Sequence, residues 1–244
     1  MDRADPYYRD DLALIHHRGF GFHADLCAPG ILALLRPVRD RDGLVLELGC
    51  GSGLLTRHLV DAGHRVLATD ASPAMLTLAR QVVPAARFER VTLPDDALPA
   101  ADAVVGVGHV LNYLNDEARV IEALAAIARA LRPGGVLAID LCDMRWGEAR
   151  RLSPDLARVA DDWALITRFS VPRPDRFVRE MTTFVRQGDG TWRRDDERHD
   201  NVLLDTATVP ELLRPYGIEV SVGTSFGAEE LPEGLVAITG HRPG

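Results

Sequence analysis

The stretch Leu44-Val45-Leu46-Glu47-Leu48-Gly49-Cys50-Gly51-Ser52-Gly53 decides the fold, because an apolar strand runs directly into three alternating glycines. A segment with helical periodicity, residues 54–62, follows at once. Glycines at such a strand-to-helix turn let the backbone approach a ligand closely, since no side chain stands in the way. A second apolar strand ends at Asp70, where a carboxylate can accept both hydroxyls of a ribose. Together these features predict a site for an adenosine-containing cofactor.

The spacing of the glycines separates two kinds of nucleotide site. A dinucleotide fingerprint reads G-x-G-x-x-G, but here the third glycine, Gly53, comes one residue early and Leu54 occupies the expected place. The pattern E-x-G-x-G-x-G that starts at Glu47 resembles the first motif of the class I S-adenosylmethionine-dependent methyltransferases. The sequence ATDASPAML (residues 68–76) is similar to the family's ribose-binding turn, and LRPGGVL (residues 131–137) to the turn into its fifth strand.

Apolar strands alternate with helical segments through the first part of the chain, which predicts a parallel sheet covered on both faces. The predicted strands are residues 44–48, 66–69, 86–91, 103–107 and 136–141, and the predicted helices are residues 54–62, 73–82 and 116–131. Later segments read as strands 163–171, 176–186 and 191–201, helix 209–216 and strands 218–222 and 235–239. This order resembles the seven-stranded Rossmann-like methyltransferase sheet, mostly parallel with an antiparallel last strand, plus an inserted antiparallel β layer.

We interpret residues 1–244 as a single methyltransferase domain with four parts. These are an N-terminal helical lid (1–42, with helices at 7–17 and 24–36), a cofactor-binding core (43–142), the inserted layer (143–205) and a final helix and strand pair (206–244). The inserted layer is similar in architecture to that of small-molecule methyltransferases, including those that N-methylate amino sugars.

Composition excludes several classes of protein. No apolar run approaches the roughly 20 residues that span a bilayer, so no membrane partner is expected. The net charge is −8, all 28 basic residues are arginine, and the arginine clusters are interleaved with acids, which disfavours nucleic acid as a partner. Cys27, Cys50 and Cys142 lack C-x-x-C spacing, so neither a disulfide framework nor a metal site is predicted, and the reducing cytoplasm is the expected location.

The resemblance assigns cofactor-binding roles to the first two turns. The three glycines of the first motif would line the methionine and ribose portions, Asp70 would bind the ribose, and Glu47 would fix the turn or meet the amino group. The remaining predicted contacts are Cys50, Ala71, Met75, Thr92, Leu93 and Gly108.

Each of these residues also has a plainer interpretation. Glu47 could simply stabilise the turn, and Asp70 could cap the following helix. Cys50 is a small residue in tight space or a reactive thiol, and Met75 packs on the adenine or in the core. The segment after the third strand lacks the family's common Gly-Asp pair, so either Asp95 or Asp96 could reach the adenine amino group, or both are solvated.

The resemblance also implies catalytic and acceptor-binding residues, from their positions relative to the strands of the family's sheet. His109 would accept a proton from the acceptor near neutral pH, or would pack on the cofactor or cap a helix. Tyr8 belongs to an N-terminal segment that in related enzymes closes over the donor, and could cover the sulfonium. Asp143 and Trp146 follow the fifth strand, where the cleft of an open α/β sheet lies, and could shape the acceptor pocket. His199 and Arg168 are weaker candidates on the inserted layer.

The predicted function is metal-independent methyl transfer from S-adenosylmethionine to a nitrogen or oxygen of a small-molecule acceptor, by a monomer or homodimer. Such a displacement is accelerated mostly by alignment and desolvation, so a dedicated base is optional. One alternative is a nicotinamide-dependent oxidoreductase, which Leu54 in place of the third glycine disfavours. The other is a non-catalytic protein that binds S-adenosylmethionine, which the intact glycines and Asp70 do not exclude.

Overall fold

A computed structural model describes residues 7–244. Its helices are α1 Asp10–Gly19, α2 Phe22–Asp40, α3 Leu54–Asp61, α4 Pro73–Val82, α5 Glu117–Ala130, α6 Met144–Arg150 and α7 Val209–Leu213. Its strands are β1 Leu44–Leu48, β2 Arg65–Asp70, β3 Arg87–Arg90, β4 Ala101–Gly106, β5 Leu131–Cys142, β6 Leu156–Val159, β7 Trp163–Arg173, β8 Arg176–Arg186, β9 Trp192–Val202, β10 Glu219–Gly223 and β11 Leu235–His241. Short 3₁₀ turns lie at Val110–Tyr113, Thr206–Thr208 and Arg214–Tyr216.

The main sheet has seven strands in the order β3-β2-β1-β4-β5-β11-β10. β1 pairs in parallel with β2 and β4, while β11 is antiparallel to both of its neighbours, β5 and β10. The predicted fold class, a mostly parallel sheet with an antiparallel last strand, is confirmed. In this order the chain reverses direction across the sheet between β1 and β4, and ligands of open α/β sheets bind at such a switch point.

Both faces of this sheet are buried, as the near-continuous apolar strands predict. Successive residues of β1 point to opposite sides, so Val45 packs with the α2 side chains Ile31 and Leu35, whereas Leu46 packs with Leu124 and other residues of α5. The helices therefore lie in two layers, and the carboxyl ends of the central strands remain available for a site.

The inserted layer is a separate antiparallel sheet in the order β6-β7-β8-β9. Sequence patterning predicted three of its strands and missed β6, whose four residues are all exposed and therefore show no alternation. The helix α6 was missed as well, and the predicted helix 209–216 is correct only through α7, since a 3₁₀ turn follows it. Side chains of α1, among them Leu12 and Ile15, pack against Leu165 and Met181 of this sheet.

The N-terminal segment differs from its predicted bounds. The first helix begins at Asp10 rather than at residue 7, because Tyr8 has a left-handed φ of 62° and its N–H donates to Glu197 of β9. The second helix extends to Asp40, past two internal prolines. The end of α1 and the start of α2 lie near the carboxyl ends of the central strands, since His17 Nδ1 is 3.0 Å from the Ser52 hydroxyl and His23 Nε2 is 2.7 Å from Asp140. The rest of α2 packs on one face of the sheet.

Candidate active site

The glycine turn between β1 and α3 is formed by backbone that only glycine adopts easily. Gly49 has a left-handed φ of 61°, and a β-carbon there would lie 2.4 Å from a methyl group of Val110. At Gly51, with φ of 53°, a β-carbon would meet only the sulfur of Met75, at 3.9 Å. The first glycine is thus required by packing, whereas the second leaves open space in front of bare main chain.

Asp70 lies at the carboxyl end of β2 and is held by two backbone groups. Its carboxylate oxygens accept hydrogen bonds from the N–H of Gly51 and of Ser72, each at 2.8 Å. Burial raises the pKa of this carboxyl above its usual range, while the two N–H donors oppose that shift. Because each carboxylate oxygen has two lone pairs, both oxygens keep capacity for a ligand hydroxyl.

We define the glycine-turn cavity as the cleft of about 480 Å³ in front of this turn. Eight of the predicted cofactor contacts line it: Gly49, Gly51, Asp70, Ala71, Met75, Thr92, Leu93 and Gly108. Asp95 lines it too and is ion-paired with Arg119, whereas Asp96 accepts a hydrogen bond from the Thr92 N–H. A volume of this order is typical of a small-molecule site.

Three predicted cofactor residues lie outside this lining. Gly53 is the N-cap of α3 with a left-handed φ of 83°, and a β-carbon there would make only an ordinary contact with Ala79 of α4 at 3.4 Å, so its backbone conformation explains the glycine. Glu47 and Cys50 line the neighbouring cavity described below. Burial raises the pKa of the Cys50 thiol well above its usual value, which favours the small-residue interpretation over a reactive thiol.

Glu47 is buried in β1 and bonded to the helix that follows the turn. Its Oε2 accepts a hydrogen bond of 2.7 Å from the Thr56 hydroxyl. Burial raises the pKa of Glu47 to about 8, and the Thr56 bond opposes that shift. The side chain is therefore protonated at neutral pH, and its observed contact is the turn-stabilising one.

A second cavity of about 310 Å³ adjoins the first, and we call it the inserted-sheet cavity. Its walls come from α1 and α2, the glycine turn, the segment after β4, α6 and the strands β6, β7 and β8. Residues common to both cavities are Tyr8, His16, Gly49, Gly51, Val107 and Gly108. A β-carbon on Gly108, whose φ is 89°, would meet no atom within 4 Å, so the two cavities meet at bare main chain.

Asp140 holds the turn where the cavities meet. This buried carboxylate on β5 accepts the N–H groups of Gly108, at 3.0 Å, and His109, at 2.5 Å, and contacts His23 Nε2 at 2.7 Å. Both turn residues have left-handed φ values, 89° and 50°. These bonds satisfy backbone donors that the turn would otherwise leave unpaired, so Asp140 fixes the position of His109.

His109 lines the inserted-sheet cavity and has a free ring nitrogen. Its ring stacks on Tyr113 with centroids 5.4 Å apart, and its buried Nδ1 has no hydrogen-bond partner among the described residues. Burial, assisted by the positive charge of Arg179, lowers its pKa to about 3. The imidazole is therefore neutral at physiological pH and able to accept a hydrogen bond, but it is a weaker base than an ordinary histidine.

Tyr8 lines both cavities and ties the N-terminal segment to three parts of the fold. Its hydroxyl lies 2.8 Å from that of Tyr113, its carbonyl accepts from the Ser72 hydroxyl at 2.8 Å, and its N–H donates to Glu197 at 2.8 Å. These three bonds fix the segment against the glycine-turn cavity, which Tyr8 lines.

The two predicted acceptor residues have different surroundings. Trp146 lines the inserted-sheet cavity, where its buried Nε1 has no partner within residues 7–244 and its ring lies under the guanidinium of Arg150. Asp143 lines neither cavity; its side chain caps α6 through the Arg145 N–H at 2.8 Å. Its contacts are explained by the cap, and a role for Asp143 in acceptor binding stays a prediction without a contact to support it.

Two residues outside the predicted catalytic and acceptor-binding set contribute polar groups to the inserted-sheet cavity. Arg179 of β8 and His16 of α1 line it, and each has a buried nitrogen without a partner in the described part of the chain, Nε and Nδ1 respectively. Arg179 shares a face of β8 with Phe177 and Met181. A charged residue on an otherwise apolar strand face is the sequence feature that could have identified it.

Other candidate sites are weaker. A cavity of about 530 Å³ lies near Leu44 and Arg65, at the amino ends of β1 and β2, which is the wrong edge for a ligand of an open α/β sheet. In residues 7–244 we find no group of three or more histidine, cysteine or acidic side chains that could hold a metal ion. Nor does any helix in the same range have the length and hydrophobicity needed to cross a bilayer.

Comparisons with known proteins agree with this geometry. Residues 45–135 match the family described as "Methyltransferase domain". A putative methyltransferase of Geobacillus sp. is 27% identical over 198 residues, which cover 77% of this chain and 78% of that protein. The trans-aconitate 2-methyltransferase of Variovorax paradoxus is 37% identical over 126 residues, covering 49% of this chain and 46% of the other.

A solved structure is similar over the whole chain. The sugar N-methyltransferase KedS8 from Streptoalloteichus has a TM-score of 0.78 at 22% identity, and the match covers 100% of this chain and 98% of that one. At this identity the likeness shows the fold, including the inserted sheet. Together the comparisons favour the methyltransferase over the nicotinamide-dependent oxidoreductase.

Proposed function

We propose that this chain, which belongs to the class I S-adenosylmethionine-dependent methyltransferases, methylates a nitrogen or oxygen atom of a small molecule bound in the inserted-sheet cavity. One observation carries this proposal: two cavities, of about 480 and 310 Å³, meet at the bare backbone of Gly108. A methyl group can pass between two ligands only where they touch without an intervening side chain.

The glycine-turn cavity fits the methyl donor. Asp70 would accept the ribose hydroxyls, because its two backbone bonds fix its orientation and leave lone pairs free. Ala71, Met75 and Leu93 offer apolar contacts for the adenine, next to the main chain of Thr92. When bound, the donor would supply a methyl group on a sulfonium sulfur, so that the acceptor's lone pair could bond to that carbon while the carbon–sulfur bond breaks and S-adenosylhomocysteine leaves as a neutral thioether.

The residues of the inserted-sheet cavity would orient the acceptor and exclude water from it. Alignment and desolvation are the main means of accelerating an in-line displacement. His109 is neutral at physiological pH and its buried Nδ1 has no partner among the described residues, so it would accept a hydrogen bond from the acceptor. Its lowered pKa makes it a weak base, so full proton transfer to it is disfavoured. Asp140 acts as a positioning residue, because it fixes the backbone of Gly108 and His109.

The N-terminal segment, residues 7–42, would serve as the lid over both ligands. Tyr8 and His16 line both cavities, and His17 Nδ1 lies 3.0 Å from the Ser52 hydroxyl of the glycine turn. The proposed setting is the cytoplasm, where S-adenosylmethionine would be available to a monomer or homodimer.

Two measurements test the proposal. Isothermal titration should show saturable binding of S-adenosylmethionine and S-adenosylhomocysteine, and no comparable binding of NAD. Incubation with panels of amines, phenols and carboxylic acids should then yield S-adenosylhomocysteine with at least one member. Donor binding without turnover across the panels would indicate the non-catalytic binding protein, and absence of donor binding would refute both.

A further inference from the structure

The inserted-sheet cavity contains a positive charge that the described protein does not neutralise. The Arg179 guanidinium donates to the Tyr113 hydroxyl and lies 3.5 Å from Asn201 Oδ1, and its centre is 5.6 Å from the Tyr113 ring. No aspartate or glutamate within residues 7–244 forms an ion pair with it, and its Nε is shielded from solvent without a partner. An arginine stays charged in proteins, so this arrangement is costly unless a ligand supplies the missing acceptor.

The rest of the lining does not provide a counter-charge. Glu47 is the one acidic residue among the described residues that line this cavity, and burial raises its pKa to about 8, so it is neutral at pH 7. Asp140 lies behind the turn, with its oxygens already engaged by two backbone N–H groups and His23. No described acidic residue that lines the cavity therefore carries a charge to balance that of Arg179.

Further unpartnered polar atoms line the same cavity. The Trp146 Nε1–H is a donor without an acceptor, while His16 and His109 each have a free Nδ1. Burial lowers the pKa of His16 to about 4 and that of His109 to about 3, so neither imidazole adds charge at neutral pH. The remaining walls are largely apolar, with Phe169, Leu165 and Met181 among them.

We propose that the methyl acceptor carries a carboxylate group, which binds to the guanidinium of Arg179 in the inserted-sheet cavity. This inference rests on the proposed function and narrows its substrate class. A planar guanidinium with an unused Nε–H matches a carboxylate better than a neutral hydroxyl or an ammonium group. The apolar walls accommodate the body of such a molecule, and the Trp146 Nε1–H is a second donor for it.

The other cationic residue of the lining is already engaged. Arg158 donates to the Gly19 carbonyl and lies with its guanidinium 4.4 Å from the Phe20 ring centroid. We therefore assign carboxylate recognition to Arg179 alone, and Arg158 supplies a control from within the same cavity.

The test uses the full chain saturated with S-adenosylhomocysteine and two probes of nearly the same shape, phenylacetate and phenylacetamide. We expect phenylacetate to bind at least about tenfold more tightly, since a hydrogen-bonded charge pair replaces a neutral contact. The preference should disappear in Arg179→Gln, persist in part in Arg179→Lys, and remain in Arg158→Gln and in the exposed-surface variant Arg168→Gln.

Several results would overturn the inference. They are equal affinity for the two probes, binding of neither, retention of the preference in a folded Arg179→Gln protein, its loss in Arg158→Gln instead, or tighter binding of benzylphosphonate than of phenylacetate. The wild-type comparison needs no variant, so a misfolded Arg179→Gln protein does not prevent a decision. If S-adenosylhomocysteine itself fails to bind, the proposed function fails, whereas its binding without a carboxylate preference refutes this inference alone.

Discussion

At the scale of single residues, Asp70 is the side chain whose replacement should most directly affect donor binding. Asp70→Ala should weaken S-adenosylhomocysteine binding by about 1–3 kcal/mol, because hydrogen bonds to a charged acceptor are lost. Isothermal titration measures the change, and Asp61→Ala, at an exposed position at the end of α3, is the matched control. Unchanged affinity in a folded Asp70→Ala protein would show that the Asp70 carboxylate does not bind the donor and only accepts the backbone hydrogen bonds of Gly51 and Ser72.

A substitution at His109 tests whether this residue contacts the acceptor during the reaction or only packs in the cavity wall. If its imidazole accepts a hydrogen bond from the acceptor, His109→Ala should lower kcat by about tenfold, as expected for the loss of one such bond, and leave S-adenosylhomocysteine affinity nearly unchanged. Because burial lowers the pKa of His109 to about 3, its protonation should not reduce activity between pH 5 and 8. An unchanged kcat would make His109 a packing residue, and an activity loss in wild type near pH 6.5 that His109→Ala abolishes would contradict the lowered pKa.

Single residues also show where inference from sequence ends. The glycines and Asp70 could be predicted because backbone conformation and strand ends impose those residue types locally. Arg179 and His16 could not be selected with equal force, since their importance depends on the absence of partners that only the folded chain reveals. Asp143 was predicted to shape the acceptor pocket, but its side chain is used as a local helix cap, a role that an aspartate before a helix fills readily.

At the scale of elements, Glu197 of β9 holds the backbone of the N-terminal segment, while ion pairs Arg9–Asp195 and Arg193–Asp11 add side-chain contacts between the same elements. Glu197 accepts the N–H groups of Tyr8 and Arg9, each at 2.8 Å, and bonds to His199 Nε2 at 2.9 Å. Glu197→Ala should therefore accelerate amide hydrogen exchange at residues 8 and 9 and weaken S-adenosylhomocysteine binding, since this segment lines the glycine-turn cavity.

The matched control for Glu197 is Glu180→Ala on the neighbouring strand. Glu180 is exposed and forms a surface ion pair with Arg198, so its loss should change neither exchange nor affinity appreciably. Equal exchange protection in the Glu197→Ala and Glu180→Ala proteins would show that other contacts hold the segment in place.

The same long-range contact explains which element bounds were predictable. The strands and helices of the central sheet have local signals, and Ser72 with Pro73 begins α4 as their residue types suggest. The start of α1 was wrong because the backbone of Tyr8 and Arg9 is fixed by a glutamate 188 or 189 residues away. β6 has four exposed residues, and it is recognisable only from its pairing with β7.

At the scale of the whole molecule, Glu47 makes the free energy of unfolding fall as the pH rises from 4.5 to about 8. Burial raises its pKa from 4.5 to about 8, so between these values the folded chain keeps a proton that the unfolded chain releases. Stability from this group is therefore present below pH 4.5 and is lost as the pH rises to about 8. Denaturant unfolding at pH 6.5 and 8 should show a smaller decline for Glu47→Gln than for wild type, and equal declines would contradict the raised pKa.

Three buried histidines give the opposite dependence on the acid side. The pKa of His16 and of His199 is lowered to about 4 and that of His109 to about 3, with burial as the largest cause in each case. Between these values and 6.5 the unfolded chain binds protons that the folded chain does not. The histidines' contribution to stability is therefore complete above pH 6.5 and is lost as the pH falls towards 4 to 3.

Each such proton changes the free energy of unfolding by about 1.4 kcal/mol per pH unit, and at pH 5 three histidines together outweigh the opposing change from Glu47.

His199 is the best one to replace, because its side chain is fully buried and lies on the inserted sheet rather than at the proposed chemistry. In His199→Gln, the loss of stability between pH 6.5 and 4.5 should be shallower than in wild type by about one proton's contribution. The exposed His241→Gln provides the control, and its profile should follow that of wild type. Denaturant unfolding at each pH measures the slopes, and parallel profiles for His199→Gln and wild type would mean that His199 titrates alike in the folded and unfolded chains.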